Sequence, residues 1–465
     1  MVFSSLTFLY AYLPVVLAVY FLVPIRWRNF VLLIVSLFFY GWGEPVYVLI
    51  MIASIIINWL FGQAIGRTRK EQREKARRFL ILCMVFNLAL LGFFKYWDFL
   101  AENLNHLGIF LIRPLRLGLP IGISFYTFQT MSYPIDLYRF DTDPQDSLIS
   151  FGAYVCMFPQ LIAGPIVRYT DIARQLNSRT VTPDKFYEGI RRFMAGLCKK
   201  VLLANNVGQV YESIAALSAS QQSAVTAWIG AICYTFQIYF DFSGYSDMAI
   251  GMGKMLGFDF LENFNYPYIS KTITEFWRRW HMSLSFWFRD YVYIPLGGNR
   301  RGLRRQIFNI MVVWLLTGFW HGASWNFVLW GVFYGIVLIL EKLFLLRWLE
   351  KAPDWFCHVY TMVLVILNWM IFANTDLTRA FAFIGSMFGA SGTFADGLTL
   401  YYLRDNLVLL VICAIAATPI AKTKLNFLRG GKGEYLMPLV TAAALIACTA
   451  FIVDASYNPF LYFRF

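Results

Sequence analysis

The feature that most constrains this chain is the recurrence of long apolar stretches from Leu6 to Val453, separated by short basic runs and never by a long polar interval. Residues 3–24 carry no charge and, as a helix, are long enough to cross a hydrocarbon core of about 30 Å. Arg26-Trp27-Arg28 closes that stretch. With 59% hydrophobic and only 14% charged residues among 465, the chain has too little polar surface for a soluble globule. It reads as an all-α polytopic membrane protein, because backbone in lipid must satisfy its own hydrogen bonds. One integral domain over residues 1–465 fits this pattern better than two or three soluble domains.

The basic runs set the topology. Residues 30–64 are apolar but broken at Gly41-Trp42-Gly43-Glu44-Pro45, which predicts a helical hairpin. Residues 67–78 then hold seven basic and two acidic side chains. By the positive-inside rule this loop and the one at Arg26 are cytoplasmic, which puts the N-terminus outside. The formal charge of +13 is thus explained by topology, with no need of nucleic acid. No basic run precedes the first apolar stretch, so it reads as a retained span and not a signal peptide.

Helix-breaking residues at 119–129 and 158–165 predict irregular backbone, tolerated at membrane depth only under a cover of protein or beside a water-filled cavity. Residues 168–200 are amphipathic, with a helix start at Thr182-Pro183-Asp184, and belong at the cytoplasmic interface. A span near 222–240 is expected to end in the polar run from Asp241 to Asp247, with short helices and turns from there to Arg305. Arg300, Arg301, Arg304 and Arg305 mark a cytoplasmic loop. At 1.5 Å per residue from Ile307, His321 lies roughly 21 Å along a helix, inside the bilayer. Gly322-Ala323-Ser324 can bend the chain, and residues 325–340 return it to the basic loop at Lys342, Arg347 and Lys351. Crossings at 355–373, 406–421 and 435–453, with Lys422, Lys424, Arg429 and Lys432 between the last two, bring the total to about eleven and place the C-terminus outside.

Two of the four histidines stand in residues 275–325. An ionisable side chain at membrane depth is costly and is by default a functional candidate. Imidazole exchanges a proton near neutral pH, so His321 in a dry pocket suits general-base work on a hydroxyl or thioester. A helix-packing histidine bonded to a carbonyl is the alternative. His281, after Arg278-Arg279-Trp280, fits a local interfacial role at least as well as a catalytic one. Asp241, Asp247 and Glu275 are better read as caps and partners of Arg278 or Arg289 than as a catalytic carboxylate cluster. His106 and His358 near span ends are taken as structural. The seven cysteines form no C-x-x-C pair and read as small core residues, with no metal site. No G-x-S-x-G elbow, P-loop or H-E-x-x-H motif is present.

Several long motifs occur in order: Tyr239-Phe240-Asp241-Phe242-Ser243-Gly244-Tyr245-Ser246-Asp247-Met248, Asn263-Phe264-Asn265-Tyr266-Pro267-Tyr268, Phe276-Trp277-Arg278-Arg279-Trp280-His281-Met282-Ser283, Arg289-Asp290-Tyr291-Val292-Tyr293-Ile294-Pro295-Leu296-Gly297-Gly298, and Trp320-His321-Gly322. With Met1-Val2-Phe3-Ser4-Ser5 they make the chain resemble the bacterial membrane-bound O-acyltransferases, the subgroup that O-acetylates alginate and peptidoglycan and, more distantly, transfers D-alanine to teichoic acids. The resemblance covers nearly the whole chain. It implies a ring of helices around a central tunnel, with short interfacial helices, in a bacterial cytoplasmic membrane. It also implies that His321 is the catalytic histidine deep in the tunnel and His281 a second polar position, with a cytosolic acyl thioester meeting an acceptor from the far side. One departure is Phe372-Ala373-Asn374, where relatives often carry a basic residue after the Phe.

Residues 456–465 end in Phe460-Leu461-Tyr462-Phe463-Arg464-Phe465, similar to an F-x-Y-x-x-F motif of these acyl-export systems. There Tyr462 is the hydroxyl that receives the acyl group before a serine of a separate extracytoplasmic transferase takes it. An aromatic anchor at the membrane interface is the plain alternative.

The expectation is therefore an O-acyltransferase moving acetyl from acetyl-CoA towards a cell-envelope or secreted polysaccharide. His321 serves as base, His281 orients or polarises the thioester, and Tyr462 relays. Arg278, Arg279 and Arg289 are the candidates for holding the anionic acetyl-CoA. The rivals are D-alanyl transfer from a carrier protein and, in another class, a transporter or flippase. A transporter predicts paired halves with matching interrupted helices, which the sequence does not display.

Overall fold

The computed structural model describes residues 1–108, 111–162, 164–424, 435–454, 457, 458 and 461. Among these the secondary structure is helical throughout, without strands. Six helices are long and apolar enough to cross a membrane: Tyr47–Thr68, Arg73–His106, Trp325–Leu349, Asp354–Ala373, Gly397–Ala416 and Met437–Asp454. The protein is a multi-pass membrane protein. The other expected crossings fall on shorter or more polar helices, Phe8–Leu22, Arg28–Gly43, Ile123–Arg139, Ala224–Leu256 and Leu303–His321, which length and composition alone do not assign as spans. Arg429 and Lys432, of the basic loop before residue 435, lie outside the described residues.

The chain forms two compact units, residues 1–193 with 245–261, and residues 194–244 with 262–465. In the first unit, helix Arg28–Gly43 carries on through Gly41 and Gly43, and the break expected at Gly41–Pro45 falls at Glu44–Val46, where Pro45 separates it from helix Tyr47–Thr68. Lipid offers helices no hydrophobic drive to associate, so small and polar residues hold them together. Asn87 donates to Asn58 Oδ1 at 2.7 Å and accepts from Thr130 Oγ1 at 3.1 Å, joining three helices. Arg69 is not a free cation of the basic loop: its guanidinium donates to the carbonyls of Leu137 and Thr142 and pairs with Asp143.

Helix Ala224–Leu256 departs from the sequence expectation, because it does not stop at Asp241 but runs on as one helix of 33 residues. Two ion pairs neutralise its carboxylates: Lys200 holds Asp241 at 2.6 Å, and Arg192 holds Asp247 at 2.7 Å. Glycines let backbone approach it closely; a methyl on Gly244 would lie 2.8 Å from the Gly196 carbonyl oxygen, and one on Gly251 2.6 Å from that of Gly189. Polar residues that look too numerous for lipid are buried in protein instead.

In the second unit, helices Leu303–His321 and Trp325–Leu340 form a tight hairpin around the extended Gly322. Their backbones touch at Gly318 and Gly331, where an added methyl would lie 2.4 Å from the carbonyl oxygens of Phe327 and Trp314 respectively. Neither obstacle is a flexible side chain. Gly331→Ala is therefore expected to cost about 1–3 kcal/mol, seen as a lower thermal midpoint of the purified protein. Gly92→Ala, in open space in mid-helix, is the control that leaves the midpoint unchanged or raised.

The short helix Ile273–Arg279 is fixed at its start by two caps. Thr272 Oγ1 accepts from the Glu275 amide at 2.9 Å, and the fully buried carboxylate of Glu341 accepts from the amides of Ile273 and Thr274 at 2.7 and 2.8 Å. The helix turns Phe276 and Trp277 inward and leaves Arg278 exposed, and Trp280, just past its end, is buried as well. Trp277 meets Trp314, Tyr334 and Trp330 at 4.6, 4.9 and 5.5 Å between centroids, and Trp280 packs on Trp369 at 4.9 Å. The Arg-rich motif thus packs aromatic rings on one face and presents cations on the other.

Candidate active site

His321 ends helix Leu303–His321, with only 4% of its surface exposed. Its ring stands in an aromatic box: Trp330 at 4.9 Å, Trp320 at 5.0 Å and Phe372 at 5.2 Å, each edge-on. Two buried asparagines fix the walls. Asn368 donates to the Trp330 carbonyl and Asn326 to those of Ile371 and Phe372, each at 3.3 Å.

His281 is buried as deeply, at 1% exposure. It packs against Phe242 at 4.7 Å and Trp320 at 5.8 Å, so the Trp320 indole touches both histidines. His281 adopts φ of +45°, a left-handed conformation uncommon outside glycine and worth attention when a local network enforces it.

Asn263 is that network. Its side-chain oxygen accepts from the Ser283 amide at 3.2 Å and from Ser283 Oγ at 2.9 Å, and it faces His281 Nδ1 at 3.2 Å. A backbone amide can only donate, so the Asn263 atom in this cluster is oxygen and His281 Nδ1 carries the proton. In the neutral ring the lone pair is then on Nε2. Burial pushes the His281 pKa down to about 3, so the ring is neutral at physiological pH. An unfolded histidine titrates near 6.5, so the unfolded chain binds more protons between pH 6.5 and 3. The His281 contribution to stability is accordingly full above pH 6.5 and lost as pH falls through that window.

Sequence reading took Asn263 only as part of a motif of the resemblance. Asn263→Ala would strand buried donors on His281 and Ser283 and is expected to slow acyl transfer about tenfold to hundredfold. Asn263→Asp, which keeps the acceptors, should stay closer to wild type; turnover of a labelled acyl donor reports both.

The remaining candidates scatter. Arg279 pairs with Glu275 at 2.9 Å and donates to the Asn265 carbonyl, and Arg289 pairs with Asp290 at 2.7 Å. Arg278 is exposed with no ion pair among the described residues. Asp241, Asp247 and Glu275 each have a cation partner, as expected of structural carboxylates, but the partners are Lys200, Arg192 and Arg279 and not Arg278 or Arg289. His106 and His358 face the carbonyls of Glu102 and Ser270. Tyr462 lies outside the described residues. No cluster of three or more metal-ligating side chains occurs among the described residues.

The motifs of this site recur in known proteins. The model of the membrane-bound O-acyltransferase family matches residues 141–383, more than half of the chain and inclusive of Asn263, His281 and His321. The chain belongs to the membrane-bound O-acyltransferase family. Among relatives of this acyltransferase, the probable alginate O-acetylase AlgI of Pseudomonas aeruginosa is 46% identical over 392 residues, 83% of this chain and 75% of the relative. That of Pseudomonas putida is 40% identical over the full length of both chains. The peptidoglycan O-acetyltransferase of Helicobacter pylori is 31% identical over all of this chain and 98% of its own. These matches make this protein an enzyme, an O-acyltransferase of the bacterial O-acetylating subgroup.

Proposed function

We propose that this O-acyltransferase takes acetyl from cytosolic acetyl-CoA and passes it across the bacterial cytoplasmic membrane towards a cell-envelope or secreted polysaccharide. The observation that carries the reading is the pair of buried imidazoles packed against one shared indole, that of Trp320, with one of them held in a single tautomer. His321 removes the proton of the accepting hydroxyl, whose oxygen attacks the thioester carbonyl. The carbon–sulfur bond breaks, and the thiolate of coenzyme A leaves and takes up a proton. His281, turned by Asn263, orients the donor. Aromatic walls exclude water, which would otherwise compete as acceptor. Of the three arginines, the unpaired and exposed Arg278 is best placed to meet the anionic donor, with Arg279 and Arg289 already engaged by carboxylates.

Tyr462 is the accepting hydroxyl in this proposal, facing outside with both termini, and a serine acyltransferase outside the membrane completes delivery to the polymer. Donor identity is the first thing to test. Purified protein in proteoliposomes, with access from the cytoplasmic face, is expected to release free coenzyme A from acetyl-CoA in the presence of the partner transferase. Turnover only with D-alanine on a carrier protein would replace acetyl transfer by D-alanyl transfer.

A further inference from the structure

The ion pair between Lys200 and Asp241 lies in the second unit with both side chains 2% exposed. A buried pair of this kind costs much of its own attraction in lost hydration, and replacement by apolar residues is often harmless to stability. Stability is thus a weak reason for its presence, while its geometry supplies another. Asp241 turns its other oxygen to the backbone amide of Leu461, which donates to Oδ2 at 2.9 Å. Leu461 is itself 3% exposed.

The same segment is held at two earlier points. Gln237 donates to the Tyr457 hydroxyl at 3.1 Å, and Asn205 donates to the Asn458 side-chain oxygen at 3.2 Å. Gly208 makes room for the Tyr457 ring, which would be 3.2 Å from a methyl at that position. Gln237 and Asp241 are one helical turn apart on helix Ala224–Leu256, so a single face of it meets the segment twice. Contact through a backbone amide does not read the side chain at 461; it fixes the register of the chain. The next residue in the sequence is Tyr462.

We infer that the Lys200–Asp241 pair is the docking site for the Leu461 amide, with Tyr457 and Asn458 held nearby, and that Asp241 is a positioning residue that sets where Tyr462 stands during acyl transfer. Lys200 holds Asp241 aimed, and the carboxylate holds the segment by a charge-assisted hydrogen bond that can be made and broken as the relay loads and departs. The inference rests on the relay reading of Tyr462.

The test uses the full-length protein in nanodiscs. The variants are Lys200→Met/Asp241→Leu, which removes the pair without leaving a buried charge, and Leu461→Pro, which removes the donated proton and leaves the pair untouched. Leu461→Ala keeps the amide and is the control. Amide hydrogen exchange of the peptide spanning 457–461 and the rate of label appearing on Tyr462 from labelled acetyl-CoA are the readouts, with the thermal midpoint as a check on folding. Exchange and label rate are expected to change at least tenfold, faster and slower respectively, in the double variant and in Leu461→Pro, at an unchanged midpoint. Leu461→Ala should remain within about threefold of wild type for labelling. Wild-type label with normal labelling rates in both variants overturns the positioning role while leaving the relay intact. Absence of label on Tyr462 in the wild type overturns the relay and the positioning role together, whatever the exchange shows.

Discussion

His321→Ala is expected to lower acyl transfer by about 10²- to 10⁴-fold, the ordinary contribution of a positioned general base. The loss should appear in turnover and not in donor affinity, because the imidazole acts on the proton of the acceptor. Packing alone predicts something different. If His321 only filled the box of Trp320, Trp330 and Phe372, then His321→Gln or His321→Phe would preserve most activity by preserving volume. Neither glutamine nor phenylalanine takes a proton at neutral pH, so both are expected to be as inactive as alanine. Release of coenzyme A, measured beside the thermal midpoint of each variant, separates chemistry from folding.

Tyr462→Phe is the second large effect. It removes one oxygen and keeps the aromatic ring, so an interfacial anchor would be left in working order. Under the relay, polymer acetylation in cells falls to background, because the acyl group has nowhere to rest between coenzyme A and the external serine. The protein should still reach the membrane in normal amount, which an epitope-tag blot checks. Polymer acetylation at the wild-type level would assign Tyr462 to anchoring.

How far the sequence foretold the structure depends on whether the deciding contacts were local. The break at Pro45 and the bend at Gly322–Ser324 were legible, since proline and glycine act on their own backbone, although the first helix runs on through Gly41 and Gly43. The continuation of helix Ala224–Leu256 past Asp241 was not, because the compensating Lys200 and Arg192 come from earlier helices at no regular spacing. His281 is the same kind of case. Its neighbours Arg278 and Arg279 are polar, and a helix of seven residues is too short for its inward Trp277, with Trp280 just past its end, to stand out as a stripe. Depth counting separated the two histidines, yet both rings pack against Trp320. Asn263 fixes His281 from 18 residues away through a fold that no local rule encodes. His321 was found because a histidine at membrane depth is conspicuous whatever surrounds it.

The central claim is that His321 loads an acyl group onto Tyr462, and intact-mass analysis after incubation with labelled acetyl-CoA tests it most directly. Peptides covering residues 456–465 are compared for wild type, His321→Ala and Tyr462→Phe. The account predicts one acetyl group on the wild-type peptide at Tyr462 and none on either variant. Label on the Tyr462→Phe peptide, or label undiminished in His321→Ala, would contradict it.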